Sequence, residues 1–120
     1  MNAKLKAGTL DLILLAVLES QALYGLEILK EVNTRTQGSF DFKEGSLYPA
    51  LHRLVKAGWV HSHWQDSTVG GAPRKYYELT DKGAKALLEK KAEWSRFSSA
   101  LDALVKLGLT QEGWIYGFTS

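Results

Sequence analysis

The sequence contains no cysteine among its 120 residues. This absence excludes disulfide bonds, thiolate metal sites and a cysteine nucleophile. Long hydrophobic runs are lacking as well, since the most apolar stretch, residues 10–18, contains Asp11 and is far shorter than the roughly 20 residues that cross a bilayer. Lys4 and Lys6 precede this stretch, but no clear small-x-small cleavage site follows it, as a signal peptide would require. We therefore expect a cytoplasmic protein with no membrane partner.

Net charge is small. Fifteen Lys and Arg residues against 13 Asp and Glu residues give +2 at pH 7. The strongly basic balance that is typical of nucleic-acid-binding proteins is therefore absent, and any such role must come from where the charges lie. A content of 45% hydrophobic and 23% charged residues is ordinary for a globular chain of this length.

Motifs of the common enzyme classes are also missing. There is no Gly-x-Ser-x-Gly sequence and no phosphate-binding glycine loop. His61 and His63 share one face of a predicted strand, where two imidazoles could bind a metal, but the sequence offers no nearby carboxylate or third ligand. Two exposed strand histidines are the favoured interpretation. We expect no enzymatic activity, no cofactor and no metal.

Apolar residues at helical spacing predict three helices in the first half of the chain. The first covers residues 9–20, with Thr9 as its N-cap, and the second runs from residue 24 to about residue 36. The third covers residues 45–57 and ends at Gly58. Its buried stripe consists of Leu47, Leu51, Leu54 and Val55.

Alternating apolar and polar residues predict strands next. Residues 40–42 have the pattern of a very short strand, and residues 59–64 and 75–79 form a hairpin whose turn contains Gly70 and Gly71. A long final helix begins after a cap at Thr80 and Asp81. Three helices, a hairpin and a long C-terminal helix predict a winged helix-turn-helix, a mainly α fold with a small β-hairpin.

Two features of this arrangement fit DNA. The outer face of the third helix, which is narrow enough for the major groove, offers hydrogen-bond donors: Ser46, Tyr48, His52, Arg53 and Lys56. An ordinary solvated helix face is the alternative. The hairpin favours the DNA interpretation, because Gly70 and Gly71 allow close backbone approach and Arg74 and Lys75 can neutralise phosphates.

The final helix predicts a partner, because an apolar stripe at coiled-coil spacing would otherwise face water. The stripe consists of Trp94, Phe97, Leu101 and Leu104. Folding back on the same chain would cover it, but pairing with a second copy is favoured. The first helix is expected to contribute Leu10, Ile13 and Val17 to this dimer. We divide the chain into a DNA-binding domain (residues 1–79), a dimerisation helix (80–108) and a tail (109–120).

Four segments of the chain resemble the PadR family of bacterial transcriptional regulators. These are GTLDL with YGLEI (residues 8–12 and 24–28), EGSLYPALHRL (44–54), GG with RKYY (70–71 and 74–77), and LTDKG (79–83). The likeness runs from about Gly8 to Phe97 and resembles the subfamily with one long terminal helix. Lys43 departs from the family, in which asparagine or a similar cap is common at this position.

The resemblance implies a homodimer that binds double-stranded DNA at an inverted repeat and usually represses transcription. By similarity, Ser46, Tyr48, Arg53, Arg74 and Lys75 would contact DNA, and Tyr24 and Lys43 would touch its backbone. In some members, paired tryptophans from the last helices sandwich a flat aromatic effector, and Trp94 stands at the corresponding place. A winged-helix module that binds proteins without specific DNA binding is the alternative function.

Overall fold

The computed structural model describes residues 3–67 and 69–111, and the side chains of residues 8–67 and 69–106. The elements are α1 (Ala3–Val17), β1 (Leu23–Tyr24), α2 (Gly25–Arg35), α3 (Glu44–Lys56), β2 (Val60–Gln65), β3 (Arg74–Leu79) and α4 (Asp81–Gln111). They form two compact units that divide between Leu88 and Glu89. This architecture confirms the predicted mainly α fold with a winged helix-turn-helix and a long C-terminal helix.

The core of the first unit lies between α1, α2, α3 and the sheet. Leu14 of α1, Ile28 of α2 and Leu51 of α3 are fully buried there. Their burial follows from the apolar stripes of the three helices, which must face one another to leave water. Val60 and Tyr77 close the core from the sheet.

The sheet is antiparallel, with the strand order β1-β3-β2. Residues His61 and His63 of β2 pair with Glu78 and Tyr76 of β3, respectively. Since side chains alternate across a strand, these four lie on the face opposite to the buried Val60 and Tyr77. We call this the outer face of the sheet; on β1, Tyr24 belongs to it because it pairs with Tyr76.

Two predicted boundaries are wrong at the start of the chain. Helix α1 covers Ala3–Val17 rather than residues 9–20, so Thr9 lies inside the helix and is not its cap. The residues before Gly8 include Ala and Lys, which are good helix formers, so the helix begins at Ala3 although Gly8 lies within it. The last residues of the predicted helix, 18–20, form a turn instead.

The predicted strand at residues 40–42 is not formed. Phe40 and Phe42 stack with ring centroids 5.9 Å apart, in a segment that has no regular structure. Leu23 and Tyr24 form the additional strand, although the sequence placed Tyr24 in a helix. A two-residue strand exists only because the free edge of β3 supplies its hydrogen-bond partners.

The cap of α4 is confirmed. The Thr80 hydroxyl oxygen accepts a hydrogen bond from the Gly83 backbone N–H at 3.0 Å, and this satisfies a donor of the first helical turn. The helix includes residues 109–111, which the sequence assigned to the tail; the rest of that predicted tail, residues 112–120, lies outside the described residues. No helix in the described parts of the chain is long and apolar enough to cross a membrane.

Candidate nucleic-acid interface

Two residues that the family resemblance predicts to contact DNA, Lys43 and Ser46, lie at the start of α3. Lys43 precedes the helix in extended conformation, and its carbonyl accepts hydrogen bonds from the backbone N–H groups of Ser46 and Leu47 at 3.0 Å. The Lys43 ammonium is exposed and lies 3.3 Å from an oxygen of Asp41. Ser46 is exposed in the first turn. Lys43 and Ser46 are therefore accessible to a nucleic-acid backbone.

Tyr48 connects α3 to the start of α2. Its phenol stands against Gly25, where a Cβ atom would lie 2.8 Å from the Tyr48 Cζ and even closer to the hydroxyl oxygen. Only glycine leaves room for this ring at that position. The Tyr48 side chain is still 41% exposed. It is thus held in place by α2 and open to a ligand at the same time.

We call the hairpin of β2 and β3 the wing, and a groove of about 360 Å³ opens where it meets β1, α2 and α3. Four aromatic rings and two cations dominate its lining, which contains Tyr24, Gly25, Leu26, Tyr48, Trp64, Arg74, Lys75 and Tyr77. The structure therefore brings four predicted DNA-binding residues to one place: Tyr24, Tyr48, Arg74 and Lys75. Aromatic rings and cations together are suited to phosphates and sugar edges.

Both wing cations lie over aromatic rings. The Arg74 guanidinium is 4.6 Å from the centroid of the Tyr24 ring, and the Lys75 ammonium is 5.8 Å from that of Trp64. Such cation–π contacts orient a cation without neutralising it, so its positive charge remains available to phosphate. Tyr24 is itself held edge-on by Tyr76 at 5.5 Å.

The wing turn is built on two glycines. Gly70 and Gly71 have φ angles of +88° and +91°, a conformation that other residues adopt only with strain. Both are exposed, and an added Cβ would meet no described atom within 4 Å. They are therefore required by the shape of the turn, and their exposed backbone is accessible to a DNA strand.

Arg53 lies apart from this groove. Its guanidinium donates a hydrogen bond of 3.1 Å to a carboxylate oxygen of Asp11, which joins α3 to α1. The arginine side chain is half exposed, and the aspartate is more buried. A phosphate would therefore have to compete with Asp11 for this cation.

Tyr77 is a buried residue of the groove lining. Burial raises the pKa of its phenol above the ordinary value, and the proximity of Tyr48 raises it further. Only 7% of the residue is exposed. Tyr77 is therefore a neutral hydroxyl at physiological pH and contributes no charge to the groove.

The predicted dimer stripe of α4 is exposed along the helix. Trp94, Phe97, Leu101 and Leu104 are all accessible, and the rings of Trp94 and Phe97 lie 5.6 Å apart. The three predicted partners from α1 differ from them. Leu10 and Val17 are buried in the core of the first unit and Ile13 is half-buried, so α1 offers less apolar surface than the sequence led us to expect.

Three residues of this region were not selected from the sequence. Trp64, 68% exposed, lines the groove under Lys75, its partner across the hairpin. Asp11 holds Arg53 over a separation of 42 residues, which no local pattern reveals. Glu78 lies opposite His61 on the outer face of the sheet. The hairpin register would have identified Trp64 and Glu78, because it sets which side chains face each other.

Comparison with known proteins agrees with this geometry. The family described as "Transcriptional regulator PadR-like family" matches residues 14–89. A Lysinibacillus sphaericus protein named "Uncharacterized protein X" is 35% identical over 99 residues, which make up 82% of this chain and 90% of that protein. The structure of a transcriptional regulator from Clostridium thermocellum has a TM-score of 0.76 at 30% identity and covers 88% of this chain and 98% of its own. A PadR-like transcriptional regulator from Bacillus cereus has a TM-score of 0.73 at 30% identity, with 86% and 97% covered.

Proposed function

The chain belongs to the PadR-like family of transcriptional regulators, and we propose that it is a sequence-specific DNA-binding repressor that acts as a homodimer. The matched family is one of transcriptional regulators and not a family of enzymes. The proposed target is an inverted-repeat operator on double-stranded DNA. This role would locate the protein in the cytoplasm with the chromosome.

One observation carries the proposal: the groove at which Tyr24, Tyr48, Arg74 and Lys75 converge. The two cations come from β3, whereas the phenols belong to β1, directly before α2, and to the first half of α3. Phosphate contacts of this kind fix the register of a protein on a duplex, and side chains from α3 then reach base edges in the major groove. Ser46, in the first turn of α3, is the proposed base-edge or phosphate donor.

Arg53 has a smaller role in this proposal. Because Asp11 neutralises it in the free protein, contact with DNA requires the exchange of one ion pair for another. The gain from such an exchange is small, since exposed ion pairs contribute only about 0–1 kcal/mol. We therefore propose that Arg53 adjusts affinity, whereas Arg74 and Lys75 supply most of the phosphate attraction.

The proposed homodimer uses the exposed stripe of α4. Trp94, Phe97, Leu101 and Leu104 follow a three-four-three spacing, which places them on one seam of a helix pair. Two-fold pairing matches a palindromic operator, because the α3 helices of the two chains then meet half-sites about one helical turn, 34–36 Å, apart. Ile13 is the α1 residue with the most accessible surface among the three that we predicted, and it is a candidate for the edge of this interface.

Trp94 is also the candidate effector residue. Its ring is 52% exposed and lies beside Phe97, so that a flat aromatic molecule could stack between the rings of two chains. We propose that a small aromatic effector binds there and releases the operator. Plain packing of Trp94 at the dimer seam is the competing role.

The direct test is binding of the purified protein to the DNA upstream of its own gene and to a random duplex, across a salt series. The proposal predicts tighter binding to the upstream DNA and a steep loss of affinity with salt, because released counterions drive association. Equal and weak binding to both duplexes would instead favour the alternative, a winged-helix module that binds proteins.

A further inference from the structure

The outer face of the sheet carries a cluster of metal-binding side chains. His61 and His63 stand two residues apart on β2, and Glu78 of β3 lies directly opposite His61. One ligand atom of each residue lies within 4.8 Å of the others. The structure thus supplies the third ligand that the sequence did not reveal.

The three side chains are close to a coordination geometry. A tetrahedral site with bonds of about 2.0–2.1 Å separates its ligand atoms by about 3.4 Å. The His63 Nδ1 is already 3.7 Å from a carboxylate oxygen of Glu78. The rings of His61 and His63 face each other with centroids 5.8 Å apart. Rotation of side chains alone could therefore close the site, without a change in the backbone.

We propose that His61, His63 and Glu78 form a binding site for a divalent transition metal, for which Zn²⁺ is the best-suited probe. Two imidazoles and one carboxylate are the ligands of many zinc sites that keep an open position for water or another ligand. Magnesium and calcium prefer sites made of oxygen atoms, so imidazole ligands select against them. His61 is exposed and the other two ligands are half-buried, which leaves the site accessible from solvent.

A metal bound by these three side chains would cross-link β2 to β3. His63 also stacks on Tyr76 at 6.1 Å, and Tyr76 supports the Tyr24 ring that lies under Arg74. Occupancy of the site would therefore restrain the aromatic support of a wing cation. This link to DNA binding rests on the proposed function, whereas the metal site does not.

Titration of the untagged full chain with Zn²⁺, followed by calorimetry, tests the site. The wild type is expected to bind about one Zn²⁺ per chain, and its melting temperature is expected to rise with zinc concentration, because a ligand of the folded state stabilises it. His61→Ala, His63→Ala and Glu78→Gln should each weaken binding by more than about tenfold, since even outer-shell partners of metal ligands contribute about 10–100-fold.

His52→Ala is the matched control, because His52 is the third histidine of the chain and lies on α3, outside the cluster. It should bind Zn²⁺ like the wild type. Circular dichroism without metal establishes that each variant is folded. The proposal is overturned if the wild type does not bind Zn²⁺, or if His52→Ala loses as much affinity as His63→Ala.

Hydrogen exchange tests the effect on the wing without DNA. Zn²⁺ should slow exchange of the backbone amides in β2 and β3 of the wild type and leave those of His63→Ala unchanged. Equal exchange with and without bound Zn²⁺ would overturn the inference that the metal cross-links the two strands. A zinc-dependent change in operator affinity that is absent in His63→Ala would support the link to DNA, and metal binding without such a change would overturn that link alone.

Discussion

The Tyr48 ring of α3 lies against Gly25, the first residue of α2, at a place where a Cβ atom would collide with the phenol. This contact fixes the first half of α3 to the start of α2. Tyr48 and Gly25 also line the groove that contains both wing cations. The position of the Tyr48 phenol is therefore set by a residue that needs no contact with DNA of its own.

Gly25→Ala is expected to weaken DNA binding by about tenfold, equivalent to about 1.4 kcal/mol, by displacing the Tyr48 phenol. The obstructing atoms belong to the end of a side chain, so the fold should survive with a change in unfolding free energy of less than about 1 kcal/mol. Fluorescence anisotropy and urea unfolding measure the two effects. Gly8→Ala is the control, because its added Cβ meets nothing within 4 Å. Unchanged affinity of Gly25→Ala would show that the Tyr48 position does not matter.

Asp11→Asn is expected to release Arg53 and to strengthen binding to any duplex. One additional phosphate contact should steepen the plot of log affinity against log salt by about 0.9. The loss of a partly exposed ion pair should cost less than about 1 kcal/mol of stability. Asp102→Asn on α4 makes the same change in net charge and should leave the slope unaltered. If both variants behave alike, Arg53 does not reach DNA.

Trp94→Ala is expected to weaken the dimer by about 3–5 kcal/mol if the ring becomes buried against a second chain, as large core truncations do. In a single chain the ring is 52% exposed, so most of that cost can arise only on association. Sedimentation equilibrium measures it. Leu88→Ala, an exposed truncation on the same helix outside the stripe, should leave the dimer unchanged. Unaltered dimerisation together with unaltered binding of aromatic ligands would remove Trp94 from both roles.

The free energy of unfolding is expected to fall as the pH rises above 10.0. Burial, helped by Tyr48, raises the pKa of Tyr77 in the folded state above this ordinary value. The unfolded chain then loses this proton first, so the contribution of Tyr77 to the free energy of unfolding is fully present below pH 10.0 and is lost as the pH rises from the unfolded to the folded pKa. Urea unfolding on both sides of this pH should show a smaller decline in Tyr77→Phe. An equal decline in both proteins would contradict the assignment.

The sequence alone was sufficient to predict those helices whose signals lie within a few residues of one another. The stripe of Leu47, Leu51 and Leu54 predicted α3, and Thr80 predicted the start of α4 correctly. These signals are local, since an apolar stripe and a capping hydroxyl act within a few residues. Four residues chosen from the family resemblance, Tyr24, Tyr48, Arg74 and Lys75, line one groove, and their contact with DNA stays a prediction.

Features that depend on distant parts of the chain could not be predicted. Leu23 and Tyr24 are a strand only because β3 lies beside them, whereas Phe40 and Phe42 have the alternation of a strand but no partner strand among the described residues. The pairing of Asp11 with Arg53 and the approach of Glu78 to His61 likewise arise from packing and register. Tertiary contacts decide such cases, because local propensity is too weak to do so.

Charge reversal in the wing tests the central claim most directly. Arg74→Glu and Lys75→Glu should each weaken binding to the upstream DNA by at least about tenfold and reduce the salt slope by about one, and the double variant should not bind, while the dimer stays intact. Lys85→Glu makes the same charge change at an exposed position of α4 outside the groove and should bind like the wild type. Undiminished binding of the double variant would contradict the proposal that the wing and its groove hold DNA.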